Sequence, residues 1–129
     1  MTMDPLYQEQ ILDHYKHPRN KGYLEDADVR EKGHNASCGD TLTLHLKWEG
    51  ERLANVMFEG LGCAISQSGA SMLTEYVKGK SRAEISALSS AIMTELYGVE
   101  VGPQREKCAM LAYGTLRSAL ENNDAKTAP

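Results

Sequence analysis

Three cysteines and one aspartate are the residues best suited to chemistry. Cys38 sits in Ser37-Cys38-Gly39-Asp40, ahead of a clear strand and among small, polar, turn-forming neighbours, so its thiol should be accessible rather than packed. With one glycine between them, Cys38 and Asp40 can aim a thiolate and a carboxylate at a single ion. Cys63 follows Gly60-Leu61-Gly62 at the point where a helix begins, where unpaired amides and the helix dipole favour a thiolate. Cys108 stands near the start of a last helix, beside Lys107 and one turn after Arg105, and cationic neighbours again favour the thiolate. A Zn2+ ion, or the 2+ core of an oxidised two-iron, two-sulfur cluster, would neutralise about half the charge of three thiolates and a carboxylate. Arg105 and Lys107 would offset part of the rest.

Each residue also has a plainer reading. Free cysteine is among the most buried residue types, and Cys108 falls on an apolar helical stripe, so alone it reads as core. Cys63 alone reads equally well as a small packing residue, and Asp40 alone as a turn or cap. Cys38, beside Gly and Asp in a polar turn, has no good packing role, and the set together favours a site.

The elements that position these residues follow from periodicity. Asp4-Pro5 reads as the start of a first helix with Leu6, Tyr7, Ile11, Leu12 and Tyr15 on its apolar stripe, ending near Lys16 ahead of Pro18. A short edge strand is expected around Val29 to Gly33. In Thr41 to Trp48 apolar residues fall at every second position, placing Leu42, Leu44, Leu46 and Trp48 on one buried face. Glu49-Gly50-Glu51-Arg52 then turns into a strand from Leu53 to Leu61 in which Ala54, Val56 and Phe58 alternate with more polar neighbours. This hairpin leaves at Asp40 and returns at Leu61, which brings Cys38, Asp40 and Cys63 to one end of the sheet.

From Cys63 the period becomes helical, with Ile65, Gly69, Met72, Leu73, Tyr76 and Val77 on one side. Ser81-Arg82-Ala83-Glu84 is a capping box opening one helix through Ile85, Leu88, Ile92 and Leu96 to Gly98. Gly102-Pro103 starts the last helix, whose stripe is Cys108, Leu111, Ala112, Thr115, Leu116 and Ala119. Strands followed by helices predict an α+β domain: a small antiparallel sheet of about three strands with helices on one face, one domain over 1–121 and a disordered polar tail over 122–129.

Composition narrows the function classes. The chain has 129 residues, 41% hydrophobic and 25% charged, with formal net charge −4, which fits a globular fold and argues against a nucleic-acid surface or a polybasic membrane anchor. The start, Met1 to Pro5, lacks the basic and apolar regions of a signal peptide, and no apolar run suits a membrane span, so a cytoplasmic location is expected. An odd cysteine count in a reducing compartment leaves metal binding or reactive thiols. No glycine-rich phosphate loop is present. His14, His17 and His45 read as surface or capping residues, and His34, nearest Cys38, as a solvated loop residue or a spare ligand.

Asn35-Ala36-Ser37-Cys38-Gly39-Asp40, Gly60-Leu61-Gly62-Cys63-Ala64-Ile65-Ser66 and Arg105-Glu106-Lys107-Cys108-Ala109 resemble, in order, the three cysteine motifs of the IscU/NifU-like iron–sulfur scaffold family. His14-Tyr15-Lys16-His17-Pro18-Arg19-Asn20 is similar to that family's opening helix, and the likeness runs from about Asp4 to Leu120. The resemblance implies an IscU/SufU-like fold and a scaffold that takes persulfide sulfur from a cysteine desulfurase, builds a transient 2Fe-2S cluster and passes it to acceptor or carrier proteins. It implies Cys38, Asp40, Cys63 and Cys108 as ligands of metal or cluster, and Cys108 as first persulfide acceptor. A carboxylate among thiolates makes a more exchangeable coordination sphere than four thiolates would.

At the third motif Lys107 stands where the housekeeping IscU branch has His, and Lys with Arg two residues before it is similar to the SufU branch, whose members bind zinc and relay sulfur. Yet the short gap between Cys63 and Cys108 resembles IscU. The chaperone-recognition segment Leu-Pro-Pro-Val-Lys is only partly retained in Val99-Glu100-Val101-Gly102-Pro103, which leaves a chaperone partner open. A cluster scaffold and a zinc-dependent sulfurtransferase are therefore the two readings carried forward, with a structural zinc domain as the weakest third.

Overall fold

The computed structural model describes residues 8–36 and 39–127. Its strands are β1 (Val29–Asn35), β2 (Asp40–Glu49) and β3 (Arg52–Leu61); its helices are α1 (Glu9–Lys16), α2 (Ala64–Val77), α3 (Arg82–Ser86), α4 (Ala91–Tyr97) and α5 (Glu106–Thr127). The strands form an antiparallel sheet in the order β1-β2-β3, and the α+β architecture expected from the sequence is the one observed. The edge strand runs two residues beyond Gly33, to Asn35, which pairs with Asp40.

The core lies between the sheet and α2 and α5. Leu42, Leu44 and Leu46 of β2 are at most 1% exposed, as period-two alternation requires, and Val56 and Phe58 of β3 join them. Each such side chain contributes roughly 1.5–3 kcal/mol by leaving water. The inward set differs from the sequence reading at the hairpin, where a register shift between Lys47 and Trp48 leaves Ala54 as the extra residue of β3. Leu53, not Ala54, therefore faces the core, and Trp48 is half-buried under the Arg82 guanidinium, 4.2 Å from its ring.

Helix α2 is enclosed rather than one-sided: every residue from Ile65 to Thr74 is buried, because α1, α4, α5 and β3 surround it. Tyr76, expected on its inner stripe, is 38% exposed beneath the Lys80 ammonium. The capping box at Ser81 is present, with Ser81 Oγ accepting from the Glu84 amide and Glu84 Oε1 accepting from the Ser81 amide. The single helix expected from there to Gly98 is broken into α3 and α4. Ser89 and Ser90 are poor helix formers, and the freed carbonyls have other donors: Arg117 Nη1 to Ser86 O at 2.7 Å and Tyr113 Oη to Leu88 O at 2.9 Å.

Helix α1 begins at Glu9 with Gln8 extended at its cap, so the Asp4-Pro5 start lies outside the described residues. Helix α5 continues to Thr127, into the stretch from Asn122 that the sequence reading set apart as a tail. No helix among the described residues is long and apolar enough to cross a membrane.

One glycine decides how α5 meets the sheet. A Cβ on Gly33 would lie 1.9 Å from Thr115 Oγ1 and 3.1 Å from Thr115 Cβ, so only glycine lets α5 sit this close to β1. That approach fixes where the first turn of α5, and Cys108 with it, comes to rest.

Candidate metal centre

Asp40 opens β2, and β3 returns beside it at Leu61, which pairs with Thr41. The next residue, Gly62, has no room for a side chain: a Cβ there would lie 2.4 Å from Asp40 Oδ1 and 2.6 Å from Ser66 Oγ. Cys63 follows as the N-cap of α2, and its amide donates to Asp40 Oδ1 at 3.1 Å. Asp40 thus satisfies the amide of the N-cap residue itself, while the Cys63 side chain caps nothing and its sulfur is left 4.0 Å from Asp40 Oδ2 and 3.9 Å from Ser66 Oγ.

Cys108 is the third residue of α5, and the side-chain amide of Asn35 donates to its sulfur at 3.5 Å. The candidate donor atoms of Asp40, Cys63 and Cys108 all lie within 4.8 Å of one another. Two donors held tetrahedrally by one ion at about 2.3 Å stand about 3.8 Å apart, so the widest of these separations would close by up to about an ångström on binding. The starts of α2 and α5 converge here, and their amide-rich ends favour negative charge at the same place. The donor set, one carboxylate and two thiols with no protein cation among them, suits zinc, ferrous iron or an iron–sulfur core.

Exposure is uneven. Cys63 is exposed, whereas Cys108 is 4% and Asp40 1% exposed, so the site is open at Cys63 and roofed over Cys108. Cys38 lies outside the described residues; Gly39, at φ +74°, donates to Asn35 O at 2.8 Å across the β1–β2 connection that contains it. Arg105 is half-buried in a 3-10 turn, Pro103–Arg105, just before α5. Lys107 is exposed and lines, with Lys32, His34, Asn35 and Met110, a groove of about 440 Å³ between β1 and α5. His34 is exposed there and stands apart from the three-residue donor group.

Two histidines differ from the sequence reading. His45, expected at the surface because it alternates with the buried leucines, is 1% exposed. On the outer face of the sheet Tyr23 packs edge-on at 4.9 Å, Arg30 Nε donates to Nδ1 at 3.2 Å, and Nε2 donates to Glu59 Oε1 at 2.8 Å. His14, expected as a surface or capping residue, is 8% exposed and bonded to Ser71 Oγ at 2.7 Å.

Tyr97 was invisible in the sequence as a site residue. It is 1% exposed, and its hydroxyl donates to Ile65 O at 2.8 Å, with Ala109 O at 3.4 Å. Burial, then the nearby charges of Cys63 and Cys108, push this hydroxyl far above the usual tyrosine range, so it remains a donor. Its partners lie 32 and 12 residues away, and no local pattern announces them.

Comparison with known proteins shows the family and the fold. Residues 6–128 match the family model described as NifU-like N terminal domain. The zinc-dependent sulfurtransferase SufU of Bacillus subtilis is 38% identical over 97% of this chain and 93% of its own length. The iron–sulfur cluster assembly scaffold protein IscU of Thermotoga maritima is 36% identical over 94% of this chain and 96% of its own. In three dimensions the chain is similar to FiSufU of Fervidobacterium islandicum, with TM-score 0.79, 32% identity and coverage of 92% and 99%. The N-terminal part of a NifU-like protein of Brucella abortus, at 19% identity, shares the fold with TM-score 0.79 over 96% and 98% of the two chains. This chain belongs to the NifU-like N-terminal domain family.

Proposed function

We propose that this protein is a cytoplasmic iron–sulfur cluster assembly scaffold, which takes sulfur as persulfide from a cysteine desulfurase, combines it with iron and delivers a 2Fe-2S cluster to acceptor proteins. The observation that carries the reading is the convergence of Asp40, Cys63 and Cys108 within 4.8 Å at one end of the sheet. Cys38, from the adjoining connection, completes a four-ligand set. A structural zinc site is built from dense Cys and His spacings, and a set that includes a carboxylate and is open at Cys63 is a poor way to close one. It is a good way to let cargo leave.

Cys108 is the persulfide acceptor in this reading. Its thiolate attacks the outer sulfur of the desulfurase persulfide, the sulfur–sulfur bond breaks, the desulfurase thiolate leaves, and no net oxidation occurs. Because Cys108 is 4% exposed, this exchange requires the first turn of α5 to open, while Cys63 already faces solvent. Building the cluster then consumes ferrous iron and electrons from an external donor. Arg105 and Lys107, three residues and one residue before Cys108 in sequence, supply positive charge near a site that gains anionic sulfur.

A second reading is favoured by Lys107 and by the likeness to SufU: the same residues hold Zn2+, and the chain relays sulfur without building a cluster. Anaerobic reconstitution with a cysteine desulfurase, cysteine, ferrous iron and a reductant separates the two. The scaffold reading expects a 2Fe-2S Mössbauer signature that moves to an apo-ferredoxin. Retained zinc, no cluster, and faster desulfurase turnover as Cys108 gains persulfide would replace it with the relay.

A further inference from the structure

We infer that Tyr97 is a positioning residue for the thiolate pair: its hydroxyl ties together the two helix starts that carry Cys63 and Cys108. Ile65, which accepts the hydroxyl at 2.8 Å, lies two residues after Cys63 in the first turn of α2. Ala109, whose carbonyl is 3.4 Å away, directly follows Cys108 in the first turn of α5. Carbonyls inside an α-helix already receive the amide four residues on, so neither needs the tyrosine for its own satisfaction. With one proton, the hydroxyl gives its short bond to Ile65 O and reaches Ala109 O as the long arm of a three-centre contact, and what it adds is a polar link between the two helices.

The fold makes room for that link. A Cβ on Gly69 would lie 2.1 Å from Tyr97 Oη and 3.1 Å from Cζ, so α2 is glycine where the hydroxyl passes. The other end of Tyr97 is held as well, because its carbonyl accepts from the Gln10 side-chain amide and Gly98, at φ +76°, ends α4 directly after it. Two donors of one ion tolerate little drift in their separation, and a rigid aromatic ring anchored at both ends limits that drift.

This inference rests on the metal-binding reading of the site, and Co2+ as a probe tests both. In the full-length chain, Co2+ affinity is measured by chelator competition and its ligands by the thiolate-to-cobalt absorption band. Tyr97→Phe keeps the ring and should bind Co2+ about tenfold more weakly, with an altered band and a melting temperature within a few degrees of wild type. Gly69→Ala, which displaces the hydroxyl from the other side, should give a similar loss, and Gly69→Ala/Tyr97→Phe should be no weaker than Tyr97→Phe alone. Leu53→Val, buried at the far end of β3, is the control for general destabilisation and should keep wild-type affinity. Equal Co2+ binding by Tyr97→Phe and wild type, or an equal loss in Leu53→Val, overturns the role of Tyr97 while leaving the site intact. A wild-type protein with no thiolate-to-cobalt band overturns the reading of the site, and the inference with it.

Discussion

Two polar clusters pack against helix α2, one at its start and one along the side facing α1. In the second, Ser71 Oγ accepts from the Arg19 amide at 2.8 Å and donates to His14 Nδ1, His14 Nε2 faces Glu75 at 3.8 Å, and Arg19 Nη2 meets Asp13 at 2.7 Å. Donors there meet acceptors and charges meet opposite charges, with Arg19 Nη1 left over. At the helix start, Asp40, Cys63 and Cys108 crowd three groups that are all anionic or able to become so. The first cluster is complete as protein and therefore reads as structure. The other gathers a carboxylate and two thiols that would carry like charge once ionised, an arrangement that a bound cation reconciles, and that feature, rather than burial or polarity, singles it out as the candidate site.

The sharpest way to break this contrast is to remove a sulfur. Cys63→Ser or Cys108→Ser should weaken zinc binding by more than the ~10–100-fold that loss of an outer partner costs, and Cys108→Ser should abolish persulfide labelling with the fold retained. Circular dichroism, chelator competition and alkylation-based persulfide detection report the three quantities. Unchanged labelling of Cys108→Ser would end its role as acceptor.

Gly33→Ala comes next in size. The added Cβ meets Thr115, so α5 must move from β1, at a stability cost of about 1–3 kcal/mol by urea denaturation. Because Cys108 rides on α5, zinc affinity should fall too, and Thr115→Ala in the same chain should restore part of both.

Ser71→Ala attacks the complete cluster instead. It leaves the Arg19 amide and His14 without their shared partner and should cost about 1–3 kcal/mol, with zinc affinity unchanged. A loss of zinc affinity would show that the clusters are not independent.

The smallest effect is a pH dependence. Burial, reinforced by Arg19, holds His14 below its ordinary value of 6.5, so the unfolded chain binds more protons than the folded one near that pH. The contribution of His14 is fully present above 6.5 and is lost as pH falls through 6.5 toward the lowered folded value. Urea midpoints should decline with acid over this window, and His14→Gln should flatten the decline.

Much of this was legible because it is local. Alternation in β2, the Ser81 box and the glycine-flanked cysteines each declare themselves within a few residues, and the hairpin logic that brings Asp40 to Cys63 needs only two strands and a turn. What escaped depends on distant chain. His45 is buried because Tyr23, Arg30 and Glu59 arrive over the outer face, and His14 because Ser71 does. A one-residue bulge turned Leu53 inward in place of Ala54, and side chains from α5 made it affordable to break the helix after Ser86. Tyr97 is the extreme case, since its meaning lies wholly in two carbonyls from other helices.

The long reach of the α1 contacts also sets an order of events as the chain leaves the ribosome. His14, Arg19 and Asn20 wait for partners 57, 52 and 54 residues downstream, and Gly22 pairs with Phe58, so the N-terminal stretch has nothing to fold against until α2 has been made. Cys63 and Asp40 can then come together, but Cys108 follows only after Gly33 has received α5. The three-donor group exists only once α5 has been added, and a chain cut short before Cys108 would emerge without it.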